Sequence, residues 1–585
     1  MNRILMGGRQ LLAAPFENIF AVDFEFRADR GERPSIVCMV VKELRTGDEQ
    51  RYWRDELLAM QTAPFDVGDD SLVVAYSATA EIACFLELGW PVPVNILDLY
   101  VEHRVETKGK DLPCGNGLIG ALACRGLAHI DAGEKEEMRR LVIERREWSD
   151  AEKRAILAYC ASDVDALIAL LPVMAAGIDW ARALVRGRSA AATANMERTG
   201  VPIDLLLHKR LVANWQPLQL ALIADVDVGF GVYDGRTFKV DRFVEWLAAR
   251  NIPWPGHPSG VLMLDDDTFK RQAERWPELK LLRELRQTLG RMRLMGLAVG
   301  ADGRNRCSLR AFMAATGRNQ PSNTEFIFGP AKWMRGLIRP PEGWGLAYVD
   351  FAAQEIAIAA GLSGDQRMIE AYRSGDPYLA FAKAAGLASA DATVASHAAV
   401  RSRCKEVMLG VNYGMAADAM ALKLGIAPVE ARELLRLHRR TYPQFWRWME
   451  QVVSGAMLNN EMKSVFGWRR HVGQMSKIPS LMNFPMQANG AEMMRVAAIA
   501  ATEAGIEVCA PIHDAFLIAA PLDRLDEDVA RMRELMTKAG NVVTGGIDVR
   551  TEATVVRWPD RYMSPGGEAM WDRIVALLER IEAAK

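Results

Sequence analysis

At 585 residues, half of them apolar and a quarter charged, the chain has room for roughly three to five domains or subdomains, which excludes a small binding module. Its 46 Gly and 26 Pro are ordinary, and this sets aside disordered, collagenous and low-complexity classes. Lys and Arg number 72 against 74 Asp and Glu, so the net charge of -2 carries no global basic signature and any nucleic-acid contact must come from local patches.

In chain order, the stretch MNRILMGGRQLLAAPFENIF is broken by Arg9 and Glu17 before an apolar core develops, and no secretion is expected. Residues 20–26 (FAVDFEF) and 71–76 (SLVVAY) predict short buried strands, and 151–173 predicts a helix. Strands followed by a helix predict an α/β domain with a boundary near residue 180. The uncharged run 166–178 is too short to span a bilayer, so no membrane segment is expected. An Ala- and Arg-rich helical stretch leads to the punctuation of MERTGVPID (196–204), and a mainly helical region continues to about residue 295. Between Lys270 and Arg293 stand eight basic residues (Lys270, Arg271, Arg275, Lys280, Arg283, Arg286, Arg291, Arg293) and three acidic ones (Glu274, Glu278, Glu284), a local excess of +5. Taken alone, such a run is a solvated helix face. From about 343 a strand, GLAYVD, precedes helical stretches through 480, and VCAPIHDAFLIAA (508–520) predicts a second short apolar strand. The eight cysteines (Cys38, Cys84, Cys114, Cys124, Cys160, Cys307, Cys404, Cys509) form no CxxC pair, which argues against a zinc site or disulfide scaffold and for a reducing cytoplasm. Cys404, between Arg403 and Lys405, reads as a helix-packing cysteine.

Asp23 and Glu25 alternate on a strand, project to one face and so are able to grip divalent cations together. An isolated DxE is usually a surface pair, but Phe20, Ala21, Val22, Phe24 and Phe26 make carboxylates here expensive unless they are paired or bind metal. Tyr159 and Asp163, spaced i, i+4, bring a phenol and a carboxylate to one helix face. Together these pieces resemble the proofreading 3′–5′ exonuclease domain of the DEDD superfamily, tyrosine subtype, in which four acids hold two metals and the tyrosine orients the attacking water. The family's second motif, usually Asn-x-x-x-Asp, is matched by Ser77-Ala78-Thr79-Ala80-Glu81, and Asp98 follows 17 residues later, where the family has its own downstream Asp. The register thus assigns the fourth acid to Glu81, whose carboxylate is displaced by one methylene from that of an Asp.

A second constellation begins at Asp350, delivered by a strand just before an Ala-rich helix; its plain alternative is a helix N-cap. In RSRCKEVMLGVNYG, Arg401, Lys405, Leu409 and Tyr413 recur every four residues, so two cations, an apolar side chain and a phenol share one stripe. Such cations are able to clamp a polyphosphate while the other two pack on a base or sugar. Gly410 and Gly414 each weaken a helix by up to about 1 kcal/mol and point to a close approach. His513-Asp514 offers a second carboxylate to join Asp350, with a hydrogen-bonded core pair as its plain alternative. Two Mg²⁺ ions would relieve the repulsion of the two acids and support in-line phosphoryl transfer.

With these motifs in order, residues 196 to about 562 resemble family A DNA polymerases. Motif A of that family matches Asp350 through Glu355, motif B Arg401 through Gly414, and motif C His513-Asp514. TGR (Thr316, Gly317, Arg318), Tyr442-Pro443, FGWRR (466–470) and NFPMQANGAE with Asn483 and Gln487 follow the family's order. The resemblance implies an α/β chain with an RNase H-like exonuclease domain (1–180) and a right-hand polymerase: thumb 181–310, palm 311–360 and 484–585, fingers 361–483. It implies that Asp350, Asp514 and the Phe351 carbonyl bind two Mg²⁺ ions, with Mn²⁺ as a substitute, and that Asp23, Glu25 and Asp163 hold the exonuclease metals. Arg401 and Lys405 would hold the triphosphate, and Lys405 would protonate pyrophosphate. Glu355 would block a ribose 2′-hydroxyl, and Leu409 and Tyr413 would line the nucleotide site. Arg318, Gln487, Asn483 and His513 would touch DNA, and the basic stretch 270–293 becomes a thumb surface for duplex phosphates. Leu409 replaces the usual aromatic, Ala515 the acid after the HD pair, and Ala353-Gln354 the usual Gln-Ile.

The expected protein is a monomeric, cytoplasmic DNA polymerase with proofreading, acting on primer-template DNA and dNTPs. Its extent, without the 5′-nuclease domain of some relatives, suits a phage or prophage gene. The rival readings are a DEDD-type exonuclease whose C-terminal part only binds DNA, a single-subunit RNA polymerase, and a structural DNA-binding protein descended from a polymerase.

Overall fold

The computed structural model describes residues 3–6, 9–12, 16–112, 114–129, 132–257, 259–291, 294–329 and 331–585. After a hairpin of Arg3–Met6 and Arg9–Leu12, five strands form one mixed sheet: Asn18–Arg27 (β1), Ser35–Glu43 (β2), Glu49–Trp53 (β3), Ser71–Ala75 (β4) and Asn95–Asp98 (β5). Their order is β3-β2-β1-β4-β5, antiparallel on the β2 and β3 side of β1 and parallel on the other. β1 is covered on both faces, and its alternation sorts residues between two cores. Ile19 and Ala21 pack with the long helix Asp150–Ala175 (α2), whereas Val22 and Phe24 pack with Phe85 of helix Ala78–Leu88 (α1) and with Trp90. Asp23 and Glu25 continue the α2-facing row. By length and composition α2 is apolar enough to cross a bilayer, but Ile156, Cys160, Val164, Leu167 and Leu171 are buried in this core. The apolar run anticipated over 166–178 is thus the C-terminal half of a core helix that starts earlier.

Helix Trp180–Thr199 (α3) begins at the anticipated boundary with Asp179 as its N-cap. One flank lies on α1 and β5, the other on elements of the C-terminal half. At Gly187 an added Cβ would stand 1.9 Å from the Ile96 carbonyl oxygen, so no other residue allows this approach. One position earlier, Arg186 makes a buried bidentate pair with Glu102 at 2.6 and 2.7 Å. Removing one partner would strand the other charge, at a cost of about 3–5 kcal/mol.

Glu197, on the same helix, accepts a hydrogen bond from the Leu309 amide at 2.6 Å. Burial raises its carboxyl to about 7, against the hydrogen bonds that lower it. Because the folded value lies above the unfolded one, the folded state holds the extra proton, and that contribution is lost as pH rises from 4.5 through about 7. The apparent Tm is expected to fall across that window, and less steeply in Glu197→Gln, which keeps an acceptor for Leu309. Calorimetric scans check this, and an unchanged slope in the variant would contradict it.

The predicted helical region contains the helices Leu205–Ala213, Trp215–Asp227, Val240–Ala249, Asp266–Arg275 and Leu279–Arg291 around Trp215, Phe243, Trp246 and Phe269. Its basic residues are not one surface. Lys270, Arg271, Arg275 and Lys280 are exposed, but Arg283 pairs with Asp266. Arg286 lies over the Phe238 and Phe269 rings at 4.3 and 4.5 Å and donates to the Leu264 carbonyl. A guanidinium can complete an aromatic core in this way, which a count of charges does not reveal. Arg293 and the side chain of Arg291 lie outside the described residues.

The C-terminal half is built on the antiparallel sheet β7-β8-β6-β9, from strands Trp344–Phe351 (β6), Glu507–Ile512 (β7), Ala515–Pro521 (β8) and Thr551–Arg557 (β9). Helices Gln354–Ser363 (α4), Ala398–Asn412 (α5), Ile478–Glu503 (α6) and Leu525–Thr544 (α7) pack around it. Residues 508–520 are a hairpin rather than the single strand expected. Ile512 pairs with Ala515 across the two-residue turn His513-Asp514, with His513 at φ +55°. A stretch of 13 residues, apolar but for His513 and Asp514, exceeds the usual strand length, and folding back at those two buries it against one sheet. The close approach expected near the glycines comes from the chain itself: at Gly414, with φ +63°, a Cβ would stand 2.7 Å from Cα of Pro479. At Gly410 the nearest contact would be the Met420 Cε at 3.2 Å, a flexible tip.

Candidate active sites

In the N-terminal sheet Asp23 and Glu25 share a face, as their alternation requires, and α2 lays Asp163 opposite them. One carboxylate oxygen from each lies within 4.8 Å of the others. Burial first, then the charge of Asp163, holds the Asp23 carboxyl up to about 8, while the Cys160 thiol and Lys135 pull it down. Glu25 is pushed well above the ordinary carboxylate range by burial and by Asp23 and Asp163. Three hard oxygen donors so disposed, two of them penalised for ionising without a cation, fit a divalent metal. Tyr159 stands one helical turn before Asp163 and is 7% exposed. Burial and the neighbouring carboxylates push its phenol up, keeping it a proton donor.

Glu81 differs from the other acids. It lies in the first turn of α1, 4% exposed, and accepts the Phe24 amide at 2.9 Å, so it is fixed beside Asp23 but is not one of the three clustered donors. Burial and then Asp23 raise its carboxyl. Asp98 is engaged by backbone: it accepts from Ser77, Ala78, Tyr100 and Val101 and caps the helix Leu99–Thr107. Of the two acids, Glu81 is the one beside Asp23, although it too is engaged by a backbone amide.

The second site is at the ends of β6 and the β7-β8 hairpin. Asp350 is not a helix N-cap; Ala353 occupies that position of α4. Asp514 lies in the hairpin turn instead of inside a strand, and its carbonyl accepts the Phe351 amide at 3.1 Å, which ties the two acids together through the backbone. Burial, Asp514 and Glu552 raise the Asp350 carboxyl to about 6. Two repelling carboxylates at a strand end fit a divalent cation as the first cluster does. Sequence reasoning missed Glu552, which sits on β9 directly opposite Asp350, with Ala515 opposite on the other side. Only the strand register reveals it. His513 is exposed, so the buried core-pair alternative for His513-Asp514 does not hold.

Along α5 Lys405 is exposed and Arg401 half-buried, whereas Leu409 is half-buried and packs against the core, and Tyr413 is the helix's C-cap residue. Cys404 is 1% exposed, with burial pushing its thiol up to about 11, so it is a packing residue. Arg401 pairs with Asp376, and Arg401 and Lys405 lie over the Tyr378 ring at 5.5 and 5.9 Å. Glu355 accepts from the Tyr413 hydroxyl at 2.9 Å and from Gln487 Nε2 at 2.5 Å, and Gln487 also donates to that hydroxyl at 3.0 Å. Gln487 thus engages Glu355 as well as the face where DNA contact is expected. Buried Glu355 Oε2, Arg318 Nε and Asn483 Nδ2 have no hydrogen-bond partner among the described residues. Arg318 and His513 line one cavity of about 270 Å³. Unpaired buried polar atoms cost about 1–3 kcal/mol each.

Residues 271–557 match the family described as DNA polymerase family A. The thermostable DNA polymerase I of Thermus filiformis is 27% identical over 211 residues, 34% of this chain and 25% of that protein. A DNA polymerase of Mycobacterium phage D29 is 28% identical over 209 residues, 35% of this chain and 34% of that one. The chain thus matches only a quarter to a third of the length of these relatives. The polymerase domain of Pol1 from M. smegmatis, solved with DNA primer-template and dNTP, superimposes with a TM-score of 0.68 at 19% identity, covering 92% of this chain and 94% of that one. The mixed α/β fold expected from the sequence is the fold this likeness shows.

Proposed function

Residues 271–557 are a DNA polymerase family A region, and from that premise we propose that the chain is a template-directed DNA polymerase with an attached 3′–5′ proofreading exonuclease. The observation that carries the first half is the meeting of Asp350 and Asp514 at the end of β6, where the Phe351 amide donates to the Asp514 carbonyl. The second half rests on the Asp23, Glu25 and Asp163 cluster with Tyr159. The helices from Leu205 to Arg291 serve as thumb, β6 to β9 as palm, and 361–483 as fingers.

Asp350, Asp514 and the Phe351 carbonyl would hold Mg²⁺ at the polymerase site, and Asp23, Glu25 and Asp163 would hold it at the exonuclease site, with Mn²⁺ as a substitute. When bound, these ions supply charge neutralisation for in-line phosphoryl transfer. At the polymerase site Arg401 and Lys405 bind the triphosphate, which takes Arg401 from Asp376, and Lys405 Nζ is the proton donor for the leaving pyrophosphate. Tyr413 stacks near the nascent pair with Leu409 beside it. Arg318, Gln487, Asn483 and His513 face the DNA, and the exposed Lys270, Arg271, Arg275 and Lys280 meet phosphates. At the exonuclease site Tyr159 orients the attacking water and Glu81 supports Asp23.

Glu355, held by Tyr413 and Gln487, is the group a ribose 2′-hydroxyl would meet. In Glu355→Ala, discrimination between dNTP and NTP, read as a ratio of kcat/KM, is expected to fall by about tenfold or more. Unchanged discrimination would remove Glu355 from this role. Extension of a labelled primer on a DNA template, with Mg²⁺ and either dNTPs or NTPs, tests the whole reading.

A further inference from the structure

The N-terminal acidic cluster contains a cation supplied by the chain. Lys135, on helix Ala132–Glu144, places Nζ 2.9 and 2.7 Å from the two oxygens of Asp163. The same ammonium lies 5.5 Å from the centre of the Tyr159 ring. Its side chain is 27% exposed and that of Asp163 10%, so the pair is poorly screened yet open to an entering ion. Its charge also acts on Asp23 and Glu25. On its own helix Lys135 has Met138 and Arg139 at i+3 and i+4 and so no acidic partner on its face there, and it reaches across to α2.

An ammonium spanning both oxygens of Asp163 occupies lone pairs that a divalent ion held by Asp23, Glu25 and Asp163 needs. We propose that Lys135 is a built-in counter-ion that neutralises Asp163 beside Asp23 and Glu25 before metal arrives and gives up at least one Asp163 oxygen when it binds. The inference rests on the exonuclease reading of this cluster. It makes Lys135 a competitor of the metal, so the affinity of the site is set partly by a side chain on a separate helix.

The test is Mn²⁺ binding, followed by electron paramagnetic resonance and calorimetry, on the full chain carrying Asp350→Asn and Asp514→Asn so that the other site is silenced. Lys135→Met is expected to tighten Mn²⁺ binding by about tenfold, since a nearby positive charge is removed. Lys135→Gln should do the same, and Lys135→Arg should restore the parental affinity. A merely structural role would weaken binding in the Met and Gln variants and would not be rescued by charge alone. Equal or weaker binding in both neutral variants, with Asp23→Asn still abolishing it, would overturn this inference and leave the exonuclease reading intact. Binding indifferent to Asp23→Asn in every background would overturn both.

Discussion

Asp350→Ala is expected to abolish primer extension with dNTPs, by about 10³-fold or more, while primer shortening persists. The magnitude follows from the charge this carboxylate manages. It shares a strand end with Asp514 and faces Glu552, and burial with those neighbours already raises it to about 6. If Asp350 anchors a divalent cation as proposed, removing it would leave that ion one ligand short, and several kcal/mol of transition-state charge stabilisation is equivalent to about three decades in rate. The backbone link from Phe351 to the Asp514 carbonyl survives the change, so the sheet should stay folded. Single-turnover extension checks the rate, and wild-type Mn²⁺-dependent extension by the variant would contradict it.

Asp23→Ala is expected to do the converse, removing 3′–5′ degradation by about 10³-fold or more while extension continues. Asp23 is central to its cluster: its charge is felt by Glu25, Glu81 and Tyr159. Its loss relieves repulsion, so the variant should be at least as stable in EDTA as the parent even though it no longer degrades primers. That combination separates a metal-site defect from unfolding. Parallel loss of extension would show that the two activities share one site.

These two acids were legible for the same reason: strand alternation placed Asp23 beside Glu25, and a strand ending at Asp350 needed no tertiary knowledge. Tyr159 and Asp163 followed equally from helical spacing. What escaped the sequence was whatever depended on elements meeting. The 508–520 hairpin was hidden because periodicity cannot see a two-residue reversal inside an apolar run. Arg286 looked like a surface cation because nothing local announces that Phe238 and Phe269 will enclose it. Lys135 was one charge in an acidic helix until that helix met α2, and Glu552 was a lone acid until β9 paired with β6. Glu81 lies between these cases. Its assignment over Asp98 came from register, but the hydrogen bond from Phe24 that fixes it is a tertiary fact.

Within the C-terminal site the side chains proposed to meet the sugar and the triphosphate start from different states. Glu355, Tyr413 and Gln487 already satisfy one another, so an incoming sugar meets a preorganised carboxylate. Arg401 is held by Asp376, so in the proposed reading a triphosphate would have to release it, which would link nucleotide binding to the helix Pro377–Ala384 that Asp376 caps.

The most direct measurement is the wild-type chain on a labelled primer annealed to a DNA template with Mg²⁺, in three arms: dNTPs, NTPs and no nucleotide. The account predicts template-length extension with dNTPs, little with NTPs, and shortening without nucleotide. Shortening in all three arms would contradict it and make the C-terminal half a DNA-holding platform for an exonuclease.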